Sequence, residues 1–305
     1  MKLAFKSCWA RIFTGENLMK KVLFVVSEWG YWGEELIGPL EACDAAGYEI
    51  AFITPTGKKP TPLSVSCTPG YLDPPLGRSV TSEEMGEKTR KVNQSNRLDN
   101  PKSLADWLPM RAYPSSPTYL RDMEAYYKKI DKIVAEELGA YDAMVIVGGS
   151  GALVDLANNS RLHELVIGFT KLNKPIAAEC YGVSCLAFAR DIREKKSLIW
   201  GKHVTGHPID YDYLDGTGFE GPHAIDGSHQ GFGDGYINFG PPFYPLEYIL
   251  RDAVGPDGAY IGRVGHETSV IVDYPFITSR STASSVECGR ILVEVLEKGL
   301  TRYGW

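Results

Sequence analysis

The sequence predicts an α/β fold, a three-layer sandwich with a central, mostly parallel sheet between helices. Three observations predict it. Lys21–Ser27 (KVLFVVS) is a continuous apolar run rich in β-branched residues, the pattern of a strand buried on both faces. Glu34–Ala46 follows with apolar residues at helical spacing, stops at Gly47, and leads into a second strand, Tyr48–Thr54. That strand–helix–strand order implies a right-handed crossover and parallel neighbours. Two further buried runs, Tyr141–Val147 (YDAMVIV) and Pro175–Glu179, continue the sheet.

The remaining elements fill in around these strands. Residues 57–118 are rich in proline and too long for an unstructured loop inside a compact domain. They read as an insertion with short helices near 81–91 and 101–108 that covers one end of the sheet. A helix over Ser116–Leu138 leads to the strand Tyr141–Val147, and Arg161–Leu172 is an amphipathic helix. A helix running to about Ala189 starts after Cys180, Tyr181 and Gly182. A second insertion, rich in glycine and aromatic residues, covers about 208–244. Strands are expected at Ser269–Val272 and Phe276–Ser279. The last helix carries a capping box at Ser284 and Glu287 and an inner face of Cys288, Leu292, Val295 and Leu296.

With 305 residues, the chain is at the upper end for one core. Residues 19–301 read as a single domain, and residues 1–18 as an N-terminal extension ahead of Met19. The net charge is −6 with no cluster of basic residues, which argues against a nucleic-acid surface. No apolar run approaches the roughly 20 residues that span a bilayer, so no membrane partner is expected. Six cysteines (Cys8, Cys43, Cys67, Cys180, Cys185, Cys288) show no C-x-x-C pair. They suggest neither a disulfide scaffold nor a zinc ribbon, and a reducing cytoplasm is expected.

The chemistry concentrates in KPIAAECYGVSCLAF, residues 174–188. A strand that turns sharply into a helix throws the residue at the turn, Cys180, upward into solvent. Gly182 permits the tight geometry. The helix N-terminus favours a thiolate at Cys180 and so a depressed thiol pKa, and the thiolate is the nucleophile. The backbone N–H of Tyr181 would face a developing oxyanion. A second turn, VIVGGSGALVDL, places Gly148, Gly149 and Ser150 where N–H groups would complete an oxyanion hole. No Walker lysine and no full G-x-G-x-x-G accompany it, so nucleotide binding is not expected. Cys185, on the helix, reads as a core residue.

These stretches, together with MKKVLFVVSEWGYWGEELIGPLEACDAAGYE, HVTGHP and PFITSRSTASS, occur in the order and spacing of the ThiJ/PfpI superfamily. The chain resembles that group over residues 19–301, the two insertions apart. The resemblance implies the class I glutamine amidotransferase-like (flavodoxin-like) fold, and the large insertions look most like the chaperone–glyoxalase branch related to heat-shock protein 31. By resemblance, Cys180 matches the family nucleophile. Glu35, four residues before Pro39, matches the buried glutamate that bonds that cysteine and helps hold its pKa low, while Glu34 is expected to face solvent. The sequence departs from the family in one place: many members have histidine directly after the cysteine, and here it is Tyr181. His207, in VTGHP, matches another histidine near the cysteine in some members. His203 precedes it by four residues, but at a strand end rather than on a helix, so no metal is expected. His223, His229 and His266 are further histidines within reach of a pocket.

The function expected is that of a cysteine-dependent, cofactor-independent enzyme acting on a small electrophile, a glyoxalase-like lyase or hydratase. Cys180 attacks, Glu35 tunes and shuttles its proton, and His207 is the acid–base partner. Gly149, Ser150 and Tyr181 line the oxyanion site. Its partners would be a small-molecule substrate and a second copy in a homodimer. A redox-sensing or chaperone-like stress protein, and a biosynthetic tailoring enzyme or amide hydrolase, are the other readings. Aromatic residues of the insertions, Trp107, Tyr113 and Tyr211 among them, should pack as a small second core, as a dimer contact, or as a cap from 208–244 over the cleft.

Overall fold

The computed structural model describes residues 19–70, 72–73, 78–191, 194–212, 245–262 and 268–305. Among them the central sheet has eight strands. From edge to edge these are Arg302–Tyr303, Val270–Asp273, Phe276–Ser279, Ile176–Glu179, Ala143–Ile146, Lys21–Val25, Glu49–Thr54 and Lys102–Ser103. Neighbours from Phe276–Ser279 onward are all parallel. Val270–Asp273 runs antiparallel to the strands on both its sides.

The central strands are largely apolar because both faces are covered. Leu23, Val25, Met144, Ile146, Ile176 and Ala178 join a core beneath the helices Tyr119–Glu136, Ser160–Lys171, Ser184–Phe188 and Leu246–Val254. Val22, Phe24, Ala143, Val145, Ala177 and Ile277 join the opposite core, beneath the helices Gly33–Ala45 and Ser285–Lys298. Alternate residues of one strand thus feed alternate cores, as the two-residue period of a strand requires. Each of the larger side chains among these, the valine, leucine, isoleucine, phenylalanine and methionine, contributes roughly 1.5–3 kcal/mol by leaving water. The three-layer α/β sandwich expected from the sequence is the architecture found.

Several local expectations are corrected. The first insertion forms the helices Glu83–Gln94 and Leu104–Trp107 and does more than cover the sheet. It extends the sheet, since Lys102–Ser103 pairs in parallel with Ile53 and Thr54. The long helix is Tyr119–Glu136. The capping box does not form. Ser284 makes no side-chain cap; its hydroxyl accepts the N–H of Ser269 at 2.9 Å, and Glu287 accepts the Tyr303 hydroxyl at 2.5 Å. On that helix Cys288, Leu292 and Val295 are buried, whereas Leu296 is half-buried and Ile291 is buried in its place. The fold also continues past residue 301: Arg302 and Tyr303 pair with Asp273 and Val272, and the Trp305 indole N–H donates to Val272 O at 2.8 Å. No helix among the described residues is long and apolar enough to cross a membrane. Residues 1–18, and 213–244 of the second insertion, lie outside the described residues.

Candidate active site

The parallel strands end along one edge, and the turns that follow them meet there. Ile176–Glu179 ends at Cys180, whose φ of +50° is left-handed. A non-glycine residue held there stores backbone strain, a feature of nucleophile turns. The chain then passes through the short turn Cys180–Val183 into the helix Ser184–Phe188. Gly182 is required because a Cβ there would sit 2.8 Å from Ile146 O on the neighbouring strand. The elbow is present, but Cys180 does not stand in solvent: it is 3% exposed. Cys180, Tyr181 and Val183 are packed into the core beneath the helices Ser160–Lys171 and Ser184–Phe188.

Glu35 arrives from the opposite side, on the first turn of the helix Gly33–Ala45, and is 1% exposed. Pro39 has no N–H for the Glu35 carbonyl four residues back, so the helical ladder is interrupted at this residue. The Glu35 carboxyl hydrogen-bonds the Cys180 thiol and the Gly149 N–H. Gly148 makes this meeting possible. A Cβ there would overlap Glu35 Oε2 and Glu179 O and lie 2.9 Å from Cys180 Cβ. Gly149, at φ +98°, could not carry a side chain without striking the Trp32 N atom. The turn is anchored by Trp32 N–H to Gly148 O and Gly151 N–H to Gly30 O, both 3.1 Å. Ser150 follows, buried, at the start of the helix Gly151–Asp155.

His207 supplies the third side. Its Nδ1 lies 3.3 Å from Cys180 Sγ. The imidazole packs against the Tyr181 ring at 4.5 Å between centroids and meets Tyr211 edge-on at 5.6 Å. The backbone N–H of Tyr181 is hydrogen-bonded to the Cys180 sulfur, and the Gly149 N–H, shared with the Glu35 carboxyl, also reaches it. Cys180, Glu35, His207, Gly149 and Tyr181 are therefore brought together. Tyr211, at the start of the second insertion, reaches the same cluster. His203 is not part of it: its Nδ1 lies 3.3 Å from Asp273, and its ring stacks on Trp305 at 3.5 Å. His223, His229 and His266 lie outside the described residues.

The electrostatics reverse one expectation. Burial, and then the Glu35 carboxyl beside it, push the Cys180 thiol well above its ordinary range, against the lowering effect of the two N–H groups. The helix that begins here is five residues long and offers little dipole, so the depressed pKa expected from the turn does not hold. Burial also pushes Glu35 up to about 8, offset in part by its bond to Cys180. Glu35 is thus a neutral acid at pH 7. Glu34 does not simply face solvent: it accepts the Thr282 hydroxyl, and burial raises it too. Cys185 is a core residue, raised to about 12 by burial.

Two residues escaped the sequence reading. Glu179, the residue before the nucleophile, is fully buried and accepts the Ser279 hydroxyl at 3.2 Å, and burial and Glu35 raise it well above the carboxylate range. Its signal was a lone acid ending an otherwise apolar strand, IAAE. Arg280 is also fully buried, with its guanidinium 5.5 Å from the Tyr211 ring centroid. It follows Ser279, the sheet partner of Glu179, so it leaves the sheet beside the elbow.

A family model described as ThiJ/PfpI family-like matches residues 26–205, more than half of the chain, and takes in Glu35, Gly149, Cys180 and Tyr181, while His207 lies two residues beyond it. The chain belongs to the ThiJ/PfpI-like family. Solved structures agree in fold. The 24 kDa Rapid Encystment Protein of Francisella tularensis superposes with a TM-score of 0.58 at 21% identity, over 91% of this chain and 99% of that one. Glyoxalase III from Candida albicans superposes with a TM-score of 0.51 at 17% identity, over 92% and 98%. No curated protein matches the chain in sequence. Within this ThiJ/PfpI-like chain the histidine beside the nucleophile comes from His207, 27 residues along the chain, and not from the position after the cysteine.

Proposed function

We propose that this ThiJ/PfpI-like protein is a cofactor-independent enzyme that uses Cys180 to attack a small carbonyl compound, with glyoxalase-like lyase or hydratase chemistry. What carries this reading is the arrangement at one sulfur: a left-handed Cys180 with His207 Nδ1 at 3.3 Å and the N–H groups of Gly149 and Tyr181 on it. The likeness to glyoxalase III bears on the fold; the chemistry is argued from these groups.

Because the thiol is raised and not lowered, it rests protonated and needs a base in the step. His207 Nδ1 takes the thiol proton as the sulfur–carbon bond forms. The carbonyl π electrons move onto oxygen, and the Gly149 and Tyr181 N–H groups stabilise that oxyanion. With a 2-oxoaldehyde the adduct is a hemithioacetal. Moving its carbon-bound proton to the adjacent carbonyl carbon gives a 2-hydroxy thioester, which water cleaves to the 2-hydroxy acid and the free thiol. The oxidation of one carbon and the reduction of its neighbour balance, so no redox partner is needed. Glu35, protonated below about pH 8, is placed to exchange protons with the sulfur.

The test is turnover of methylglyoxal to lactate by the wild type and by Cys180→Ala. Turnover that is lost in Cys180→Ala supports the reading. Equal turnover by the two removes the nucleophile. No turnover, with selective peroxide oxidation of Cys180, would favour the redox-sensing reading instead.

A further inference from the structure

We propose that Tyr181 is a positioning residue whose ring holds the His207 imidazole with Nδ1 toward Cys180, so that a pair of packed rings contributed by two distant segments does the work of one histidine. This rests on the role given above to His207 as the base.

The backbone around His207 is fixed independently of its side chain. His203 and Val204 pair with Ala259 and Tyr260. The Tyr260 hydroxyl donates to Gly206 O at 3.0 Å. A Cβ at Gly206 would lie 2.6 Å from Leu250, so the chain there is also sterically confined. What remains is the torsion of the imidazole about its own bond, a broad, roughly two-fold rotor that packing must settle. A turned ring presents carbon, not Nδ1, to the sulfur.

Two rings settle it. Tyr181 lies 4.5 Å from the imidazole at an interplanar angle of 33°, a tilted ring contact, and Tyr211 closes the flank at 5.6 Å and 73°. Tyr181 is 6% exposed and is covalently next to Cys180, so its ring is carried by the same turn that aims the sulfur. Nucleophile and base are thereby referenced to one rigid piece of backbone, although they are 27 residues apart. Tyr181 has two parts in this site. Its N–H bonds the sulfur, and its ring holds the base. Only the second part depends on the side chain.

The experiment is the rate of Cys180 alkylation by iodoacetamide, followed by mass spectrometry from pH 6 to 9, which needs no knowledge of the substrate. Variants are His207→Gln, Tyr181→Phe, Tyr181→Leu and the double variant Tyr181→Leu/His207→Gln. Loss of the base should slow the reaction at neutral pH by a factor on the order of 10². Tyr181→Phe keeps the ring and should stay closer to the wild type than Tyr181→Leu in both rate and pH profile. Tyr181→Leu should lose about tenfold, the scale of one such ring contact, and its profile should shift toward that of His207→Gln. The double variant should be no slower than His207→Gln alone, because the ring acts through the imidazole. Additive losses, or a wild-type rate and profile in Tyr181→Leu while His207→Gln is slow, overturn the inference and leave the base in place. A wild-type rate in His207→Gln overturns the base, and the positioning role with it. If Tyr181→Leu fails to fold, Tyr181→Met fills the space without a ring. The upfield ring-current shift of the His207 imidazole protons, present in the wild type and in Tyr181→Phe and absent in Tyr181→Met, reads the contact directly; its absence from the folded wild type also overturns the inference.

Discussion

The Glu35 carboxyl and the Cys180 thiol are hydrogen-bonded to each other while both are almost wholly removed from water. Two acids in that position cannot both ionise at low cost. Glu35 loses its proton at about 8, and the charge it then carries holds the thiol proton on. Glu35→Gln removes that charge. Its effect should be to move the pH midpoint of Cys180 alkylation downward, with faster labelling at pH 8–9 than in the wild type. A midpoint that stays in place or rises would mean that the carboxyl acts chiefly as a donor to the thiolate.

The same residue makes the fold sensitive to alkali. Glu35 titrates at about 8 when folded, against an ordinary value of 4.5. Between those pH values the folded chain keeps a proton that the unfolded chain has released. Stability contributed by the neutral acid is therefore full below pH 4.5 and is lost as pH rises toward 8. The whole shift corresponds to up to about 5 kcal/mol. Glu179, raised in the same direction, adds to it. Denaturant titrations from pH 5 to 8 should show wild-type stability falling and Glu35→Gln falling less steeply. Parallel curves would mean that Glu35 is not raised.

Among the described cysteines, Cys180 should be alkylated first. Burial raises Cys43 and Cys185 to about 12 and Cys67 to about 11, and it raises Cys288 well above the ordinary thiol range. Cys180 is raised too, but it has His207 Nδ1 at 3.3 Å to take its proton. Mass spectrometry after limiting iodoacetamide at pH 7.5 checks the order. Faster labelling of Cys43 or Cys288 would remove the case for an assisted thiol.

What was legible in the sequence was what local pattern controls. Uninterrupted apolar runs such as KVLFVVS mark strands buried on both sides, and Gly182 after Cys180 marks a turn that a larger residue could not make. Glu35 was legible through its spacing to Pro39 within a resemblance. What depends on contacts across the fold was not. Whether Cys180 is wet or dry depends on how the core closes over its turn, and that decides the direction of its pKa. Ser284 looked like a cap because its spacing to Glu287 is right, yet each is taken by a partner from another element, Ser269 and Tyr303. Glu179 and Arg280 look like surface charges until the sheet pairing sets them beside the elbow.

Gly148 is the residue on which the meeting of three segments turns. A methyl group at this position would require Glu35 Oε2, the Glu179 carbonyl and the Cys180 Cβ all to give way. Two of those belong to backbone or to the strained turn, so relief is expensive, on the order of 2–3 kcal/mol. Gly148→Ala should lower the melting temperature and also shift the pH profile of Cys180 alkylation, because the carboxyl is the part most able to move. A variant that melts lower with an unchanged profile would place the strain elsewhere.

The final prediction concerns the two helices on the Glu35 side of the sheet. They cross through glycine: a Cβ on Gly289 would lie 2.6 Å from Gly38 O and 2.9 Å from both Ala42 Cβ and Pro39 Cα. The helix Gly33–Ala45 therefore rests on backbone of the helix Ser285–Lys298, and Glu35 sits three residues before that contact. Gly289→Ala has no side chain to push aside and must move one helix away from the other. It should cost about 1–3 kcal/mol through overpacking. It should also draw Glu35 from Cys180, shifting the alkylation midpoint downward as Glu35→Gln does. Gly139→Ala is the control. A Cβ there meets nothing within 4 Å and its φ is not positive, so it should leave both readouts unchanged or stabilise slightly by restricting the unfolded chain. If Gly289→Ala destabilises but leaves the thiol profile alone, the helix yields at its far end, and the crossing supports the fold without setting the position of Glu35.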